Sequence, residues 1–138
     1  MREAFDALVH DRRLLWSEPF VSLSRPAKAG ATFAELAAEG LLHASTPSLP
    51  WGFERLFAHQ ALAARRLVGP HPLNTVVATG TGSGKTEGFL VPILDHVLRE
   101  PGPGVRAVLL YPMNALANDQ LKRLRKLLAG HPGITFGR

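Results

Sequence analysis

The amino-acid sequence predicts an α/β fold with a parallel sheet, preceded by a mostly helical N-terminal region. Two observations support this prediction. From residue 74 onward, short apolar runs rich in β-branched residues alternate with segments of helical periodicity. A glycine-rich segment also joins the first of these runs to the helix-forming segment that follows it. Strands that alternate with helices pair in parallel through crossover connections, and 138 residues suffice to bury one core.

Residues 1–52 are predicted to form helices and irregular segments. Residues 2–15 have the apolar periodicity of an amphipathic helix. Thr32, with Glu35 three residues later, predicts a capping box at the start of a short helix, and Gly40 is placed to end that helix.

Residues 53–138 are predicted to form the α/β part of the fold. A helix over residues 53–68 comes first. The predicted strands and the helices between them then follow in chain order: strand 74–79, helix 85–98, strand 105–111, helix 115–129 and strand 134–136. Asn114 is predicted to cap the helix that begins at residue 115.

The net charge of +5 is unevenly distributed along the chain. Residues 1–73 hold eight basic and seven acidic side chains, whereas residues 74–138 hold eight basic and four acidic ones. A basic balance favours a polyanionic partner such as a nucleic acid or a nucleotide. The sequence has no uninterrupted apolar run of the about 18 residues that a membrane span needs, and its first residues lack the apolar run of a signal peptide. We therefore expect a cytoplasmic protein without a membrane partner.

The glycine-rich segment T-G-T-G-S-G-K-T at residues 79–86 predicts a phosphate-binding loop, or P-loop. Glycines let the backbone turn tightly and direct its N–H groups at a phosphate, and the N-terminus of the following helix adds a partial positive charge. Lys85 would bring a full positive charge to the β- and γ-phosphates, and the Thr86 hydroxyl could bind Mg²⁺, so both are candidate catalytic residues. The predicted nucleotide-binding residues of the loop are Thr81, Gly82, Ser83, Gly84, Lys85 and Thr86. The alternative is a glycine-rich turn that binds nothing.

Gln60 is a second candidate for nucleotide binding. It lies 25 residues before Lys85, in a helix-forming segment. A glutamine amide has both a donor and an acceptor, so it can pair with the adenine edge, and Phe53 or Phe57 could support the base. The alternative is a solvated glutamine on a helix.

The segment Y-P-M-N-A-L-A-N-D-Q at residues 111–120 follows the second predicted strand. A strand end that turns into a helix N-terminus leaves backbone N–H groups open, and these suit a nucleic-acid phosphate. Pro112, Asn114 and Ala115 are the predicted nucleic-acid contacts. The alternative is a simple connection between a strand and a helix.

Other charged side chains receive structural interpretations. Glu87 is interpreted as an acidic residue that the helix dipole favours in the first turn. The basic residues of the last predicted helix are interpreted as a solvated face: Lys122, Arg123, Arg125 and Lys126. The six histidines lack metal-ligand spacing, so no metal site beyond the Mg²⁺ of a bound nucleotide is predicted.

Taken together, Gln60 and the segments 79–86 and 111–120 resemble the front half of the first RecA-like domain of a superfamily 2 helicase of the DEAD/DEAH-box type. The loop resembles helicase motif I, with Thr79 where that motif commonly has alanine, and the later segment resembles motif Ia. The amino-acid sequences of these two segments are similar to those of the bacterial Lhr-like and MrfA-like DNA helicases. Some of those enzymes serve DNA repair and some serve defence against phage. The resemblance covers about residues 53–138 and leaves residues 1–52 as an accessory region.

The resemblance implies an ATP-dependent DNA helicase or translocase that uses ATP and Mg²⁺ and acts on DNA rather than RNA. Such an enzyme also needs an Asp-Glu pair on a later strand (the Walker B strand) and a second RecA-like domain, and the 138 residues hold neither. We therefore expect the N-terminal part of a larger helicase, inactive alone. Two alternatives stay open: another P-loop NTPase, such as an AAA-type remodeller, and a non-catalytic nucleotide- or DNA-binding module.

Overall fold

The computed structural model describes residues 26–137, so the helix predicted over residues 2–15 lies outside the described residues. The elements in chain order are β1 (Ala29–Thr32), α1 (Phe33–Ala38), a 3₁₀ turn (Thr46–Ser48), β2 (Arg55–Phe57), α2 (Ala58–Val68), α3 (Lys85–Arg99) and α4 (Asn114–Leu127). Within the described range, each helix is too short or too polar to cross a membrane.

Helix α1 begins and ends as its sequence predicts. The Thr32 Oγ1 atom accepts a hydrogen bond from the Glu35 backbone N–H (3.1 Å), and Glu35 Oε2 accepts one from the Thr32 N–H (2.7 Å). This reciprocal capping box satisfies two helix-end donors. Gly40 adopts a left-handed φ of 71°, and its N–H donates to the Ala37 carbonyl at 2.9 Å, which ends the helix.

Strands β1 and β2 form a two-stranded antiparallel sheet, with Ala29 opposite Phe57 and Thr32 opposite Arg55. The two backbones approach closely at Gly30, where a Cβ atom would lie 2.8 Å from the Phe57 carbonyl carbon. Because residues 55–57 pair with β1, helix α2 begins at Ala58 rather than at the predicted residue 53. Sequence periodicity alone does not show this competition between strand pairing and helix formation.

One hydrophobic core joins this sheet to the helices. Phe33 of α1 stacks on Trp51 with 5.0 Å between the ring centroids. The buried apolar residues come from both sides of residue 52: Phe33, Leu36, Leu42, Leu49, Trp51, Leu56, Ala61, Leu90, Val91, Leu94, Leu124, Leu127 and Leu128. The division into regions 1–52 and 53–138 stays a prediction.

Asp95 fastens helix α3 to the loop that follows α1. Its carboxylate is fully buried, and Oδ1 accepts hydrogen bonds from the His43 backbone N–H (2.6 Å) and the Thr46 hydroxyl (2.7 Å). Its Oδ2 atom pairs with Arg99 Nε at 2.6 Å, and the same guanidinium donates to the Leu41 carbonyl. A buried carboxylate is tolerated because each of its oxygens has partners.

The predicted parallel sheet is not confirmed by the structure. Within residues 26–137, none of the segments 74–79, 105–111 and 134–136 pairs as a strand. Their apolar side chains include some of the most exposed ones described, with Val76 92% and Leu110 89% accessible. β-Propensity measures fit to a paired, half-buried surface, and no described segment provides that surface here.

Candidate nucleotide-binding site

The glycine-rich loop leads into helix α3, which begins at Lys85. Gly82 (φ 72°) and Gly84 (φ 71°) both adopt left-handed backbone conformations that favour glycine. Gly84 has a second constraint, because a Cβ atom there would lie 2.5 Å from Gln60 Nε2. The sequence thus places glycine where the backbone turns and where another motif residue approaches the loop.

The Lys85 side chain folds back over the loop that precedes it. Its Nζ atom donates to the carbonyl oxygens of Thr79 (2.8 Å) and Gly80 (2.6 Å). Both acceptors are neutral, and a lysine binds an anionic oxygen about twice as strongly as such groups. Thr86 lies half-buried in the first turn of α3, next to this amino group in sequence. The donors of the loop therefore suit the phosphates of a nucleotide, and the Thr86 hydroxyl suits its Mg²⁺.

Thr79 stands where helicase motif I commonly has alanine, and its hydroxyl is used within the loop. The side-chain oxygens of Thr79 and Ser83 share a hydrogen bond of 2.6 Å. This bond joins the start of the loop to Ser83, which lies two residues before α3 begins at Lys85. The departure at Thr79 therefore adds a contact to the loop and removes none of its phosphate-binding groups.

Gln60 is buried against the loop and is not the solvated glutamine of the alternative interpretation. Its side chain is 3% accessible, Oε1 accepts a hydrogen bond from the Phe57 N–H (2.7 Å), and Nε2 donates to the Gly84 carbonyl (2.7 Å). The first bond closes the N-terminus of α2, and the second ties that helix to the loop. Phe57 is exposed and stacks on His59, whereas Phe53 packs beside Phe33. Contact of Gln60 with adenine stays a prediction.

Glu87 and Arg123 form a contact that sequence reasoning missed. The Glu87 side chain is buried, and its Oε1 atom lies 2.5 Å from a guanidinium nitrogen of Arg123 on α4. The two residues are 36 positions apart, so no local spacing signals the pair. Arg123 is therefore not part of the predicted solvated face, whereas Lys122 is exposed and pairs with Asp119 at the surface.

The predicted nucleic-acid contacts Pro112, Asn114 and Ala115 are exposed at the start of α4. Helix α4 begins at Asn114 itself, with Met113 as the N-cap and no side-chain cap, so the prediction of Asn114 as a cap is wrong. The Tyr111 hydroxyl just before this segment is buried. Burial raises the pKa of Tyr111, and the Arg123 charge partly opposes that shift.

A glycine-rich loop that presents a lysine and a threonine at a helix N-terminus defines a P-loop nucleotide-binding protein. The sequence profile of the DEAD/DEAH box helicase family matches residues 57–137, and the chain belongs to that family. The family has a RecA-like α/β fold, uses ATP and Mg²⁺ and acts on nucleic acid. The match favours a helicase over the AAA-type alternative. Gly84 lacks a side chain that would collide with Gln60 Nε2. The Lys85 amino group and the Thr86 hydroxyl beside it are of the chemical types that suit the phosphates and the Mg²⁺ of ATP.

Two kinds of relatives are similar to this chain. Druantia protein DruE of Escherichia coli (strain UMEA 4076-1) is 38% identical over 133 residues, which cover 88% of this chain and 7% of the relative. The ATP-dependent rRNA helicase spb4 of Aspergillus terreus is 38% identical over 86 residues, which cover 59% of this chain and 13% of the relative. That of Aspergillus oryzae is 40% identical over 85 residues, with the same coverage. The chain thus spans a small part of each relative. No solved structure gives a significant match.

Proposed function

We propose that the chain is the ATP-binding part of a helicase or translocase that couples ATP hydrolysis to movement on DNA. The observation that carries this proposal is the position of Lys85 Nζ, which lies over the glycine-rich loop on the carbonyls of Thr79 and Gly80. A cation held there by neutral oxygens can move to a phosphate and gain a charge-assisted bond.

Each loop residue has a proposed task in this site. Backbone N–H groups of residues 81–84 bind phosphate oxygens, Lys85 neutralises the β- and γ-phosphates, and Thr86 holds Mg²⁺. When bound, ATP supplies the phosphoryl group and Mg²⁺ neutralises the charge that develops on it. Lys85 and Thr86 therefore position and stabilise the reacting group, which is the main protein contribution to phosphoryl transfer.

Gln60 is proposed to bind adenine and to hold the loop in place. Its Nε2 donor now reaches the Gly84 carbonyl, and its Oε1 acceptor reaches the Phe57 N–H. An amide NH₂ group has two donors and the carbonyl has two lone pairs, so each atom can keep its present bond and accept one more partner. Adenine offers both a donor and an acceptor on one edge, which matches this amide.

DNA is the proposed partner, with Pro112, Asn114 and Ala115 as contacts near the start of α4. The support is the resemblance of the loop and of segment 111–120 to bacterial DNA helicases. The match to DruE also covers 88% of the chain and so includes residues before the helicase segment, whereas the match to the rRNA helicases covers 59%. RNA is the second candidate, because the spb4 relatives are named as rRNA helicases.

The remaining catalytic groups are proposed to come from other parts of the protein. ATP hydrolysis by a motor of this type needs acidic residues that hold Mg²⁺ and an arginine that reaches the γ-phosphate from a second domain. An arginine of this kind contributes about 10³–10⁵ in rate. We therefore expect the 138-residue chain alone to bind ATP weakly and to release no phosphate above background.

The test measures phosphate release by the intact protein with single-stranded DNA, with RNA of the same sequence and with neither. We expect DNA to stimulate release more than RNA, and we expect Lys85→Ala to abolish the stimulated rate. Lys122→Ala is the matched control, because it removes an exposed lysine from α4 and should leave the rate unchanged. Stimulation by RNA alone would replace DNA with RNA as the substrate. A Lys85→Ala variant as active as the wild type would contradict the proposed site.

A further inference from the structure

The ion pair between Glu87 and Arg123 is a direct contact between the two helices that carry the predicted motifs. Glu87 lies in the first turn of α3, two residues after Lys85, and Arg123 lies in α4, whose first turn holds Asn114 and Ala115. The Glu87 side chain is 11% exposed and that of Arg123 is 29% exposed. Salt screens a largely buried ion pair only weakly, so movement of one side chain changes the electrostatic energy of the other.

One carboxylate oxygen of the pair is buried beside the glycine-rich loop. Glu87 Oε2 is buried and has no hydrogen-bond partner among residues 26–137. A Cβ atom on Gly84 would lie 3.1 Å from this oxygen and 2.5 Å from Gln60 Nε2, so both side chains adjoin the last glycine of the loop. A movement of the loop backbone at Gly84 would therefore change the surroundings of the Glu87 carboxylate.

A second buried polar group lies on the nucleic-acid side. In the described part of the chain, the Tyr111 hydroxyl is also buried without a hydrogen-bond partner. The charge of Arg123 acts on this hydroxyl, because it lowers the Tyr111 pKa against the larger effect of burial. Tyr111 directly precedes Pro112, and Arg123 lies on the helix that begins at Asn114. The ion pair with Glu87 therefore connects α3 to the helix that starts with the predicted nucleic-acid segment.

Glu87 Oε2 and the Tyr111 hydroxyl are buried oxygens that a ligand could supply with hydrogen-bond partners. A partly satisfied polar network is costly, and a small shift that pairs one of these oxygens is favoured. A groove of about 1120 Å³ is lined by residues of both helices, together with the segments 100–107 and 130–137.

We propose that the Glu87–Arg123 ion pair positions the nucleotide loop and the nucleic-acid segment relative to each other, so that each ligand raises the affinity for the other. Both are positioning residues, since neither is placed on a reacting atom. The inference rests on the proposed function, which supplies the two ligands. Coupling of this kind is reciprocal and typically changes affinity by about 5–150-fold.

The test measures the Kd of a fluorescent non-hydrolysable ATP analogue for the intact protein, with and without a saturating single-stranded DNA oligonucleotide. For the wild type we expect the DNA to tighten analogue binding at least about fivefold. In Glu87→Gln and in Arg123→Gln we expect that ratio to fall below about twofold, while the Kd without DNA changes by less than about threefold. The double variant should lose no more than either single one, because both remove the same contact.

Two further variants separate positioning from a merely structural role. Arg125→Gln removes the same charge from an exposed position on α4 and should keep the wild-type ratio. Arg123→Lys keeps the charge and should retain part of the coupling. If Glu87→Gln does not fold, the comparison of Arg123→Lys with Arg123→Gln tests the role of the ion pair. A wild-type ratio retained in folded Arg123 variants, or a wild-type ratio near one, would overturn the inference and leave ATP binding intact. A wild type that binds no ATP analogue would overturn the proposed function as well.

Discussion

The region around α1 and the region around the glycine-rich loop satisfy their polar groups in different ways. Around α1, the capping box satisfies two helix-end donors, and the buried carboxylate of Asp95 accepts hydrogen bonds from His43 and Thr46. Around the loop, Lys85 donates to two neutral carbonyls, and Glu87 and Tyr111 each bury an oxygen without a partner among the described residues. The polar groups named around α1 have internal partners, whereas the loop region leaves two buried oxygens unpaired among the described residues.

This difference predicts that substitutions in the two regions change different quantities. A completed network contributes to the free energy of unfolding, because its removal leaves buried groups without partners. A loop whose contacts are provisional contributes mainly to ligand affinity. The comparison would be contradicted if substitutions around α1 changed mainly ligand affinity and substitutions in the loop changed mainly the free energy of unfolding.

The largest effect on stability is expected for Asp95→Ala. The substitution leaves the His43 N–H and the Thr46 hydroxyl without their acceptor and Arg99 without its partner. Breaking a buried, hydrogen-bonded ion pair costs about 3–5 kcal/mol. Urea unfolding followed by tryptophan fluorescence measures the loss.

Asp119→Ala is the matched control for this prediction. Asp119 forms an exposed pair with Lys122 at 3.6 Å, and its removal should cost less than about 0.5 kcal/mol. Equal losses for the two aspartates would show that Asp95 does not anchor α3.

A smaller effect, on nucleotide preference, is expected for Gln60→Ala. If the amide binds adenine, the variant should weaken ATP more than GTP, because the guanine edge has the reverse order of donor and acceptor. A lost hydrogen bond to a buried group costs about 1–3 kcal/mol, so the ATP affinity should fall about tenfold. Competition titrations with both nucleotides measure the difference.

Gln60→Glu sharpens the same prediction. A carboxylate keeps the acceptor for the Phe57 N–H but loses the donor to the Gly84 carbonyl. We expect this variant to weaken ATP binding as well. Equal losses of ATP and GTP in both variants would mean that Gln60 holds the loop and does not distinguish the bases.

The smallest effect is expected for Thr79→Ala, which restores the residue common in helicase motif I. The substitution removes one hydrogen bond between hydroxyls, worth about 0.5–1.5 kcal/mol at most. We expect the ATP affinity to change less than about threefold, and Ser83→Ala to change it by a similar amount. Isothermal titration of both variants checks this. A loss of ATP binding in Thr79→Ala alone would give the hydroxyl a direct role at the nucleotide.

Local signals in the sequence predicted the helices better than the sheet. Thr32, Glu35 and Gly40 define α1 through contacts within a few residues, and the bounds of α3 follow from helical periodicity after the loop. The predicted strands depend on pairing with distant segments, which composition cannot supply, and β2 formed where a helix was predicted. Long-range pairing is the part of a fold that sequence patterns specify least.

The same distinction applies to the candidate site. The loop motif identified Lys85 and the glycines, and the spacing before Lys85 identified Gln60 as a candidate, because these signals are short-range or shared with a family. The contact of Gln60 with Gly84 was not predicted and is seen only in the structure. The Glu87–Arg123 pair could not be predicted, since it joins two helices across 36 residues and each partner has an ordinary explanation on its own helix. The burial of Glu87 and the partial burial of Arg123, which only the three-dimensional fold determines, distinguish the pair from surface charges.

The glycine-rich loop is proposed to bind nucleotide through Lys85. Titration of the intact protein with a fluorescent ATP analogue, for the wild type and for Lys85→Ala, tests it most directly, with the thermal midpoint of each recorded alongside. Loss of a charge-assisted contact of about 1.5–3 kcal/mol should weaken binding at least about tenfold, and the thermal midpoint should stay unchanged because Lys85 contacts only exposed or half-buried loop carbonyls. Equal affinity of the two proteins for the analogue would contradict the account.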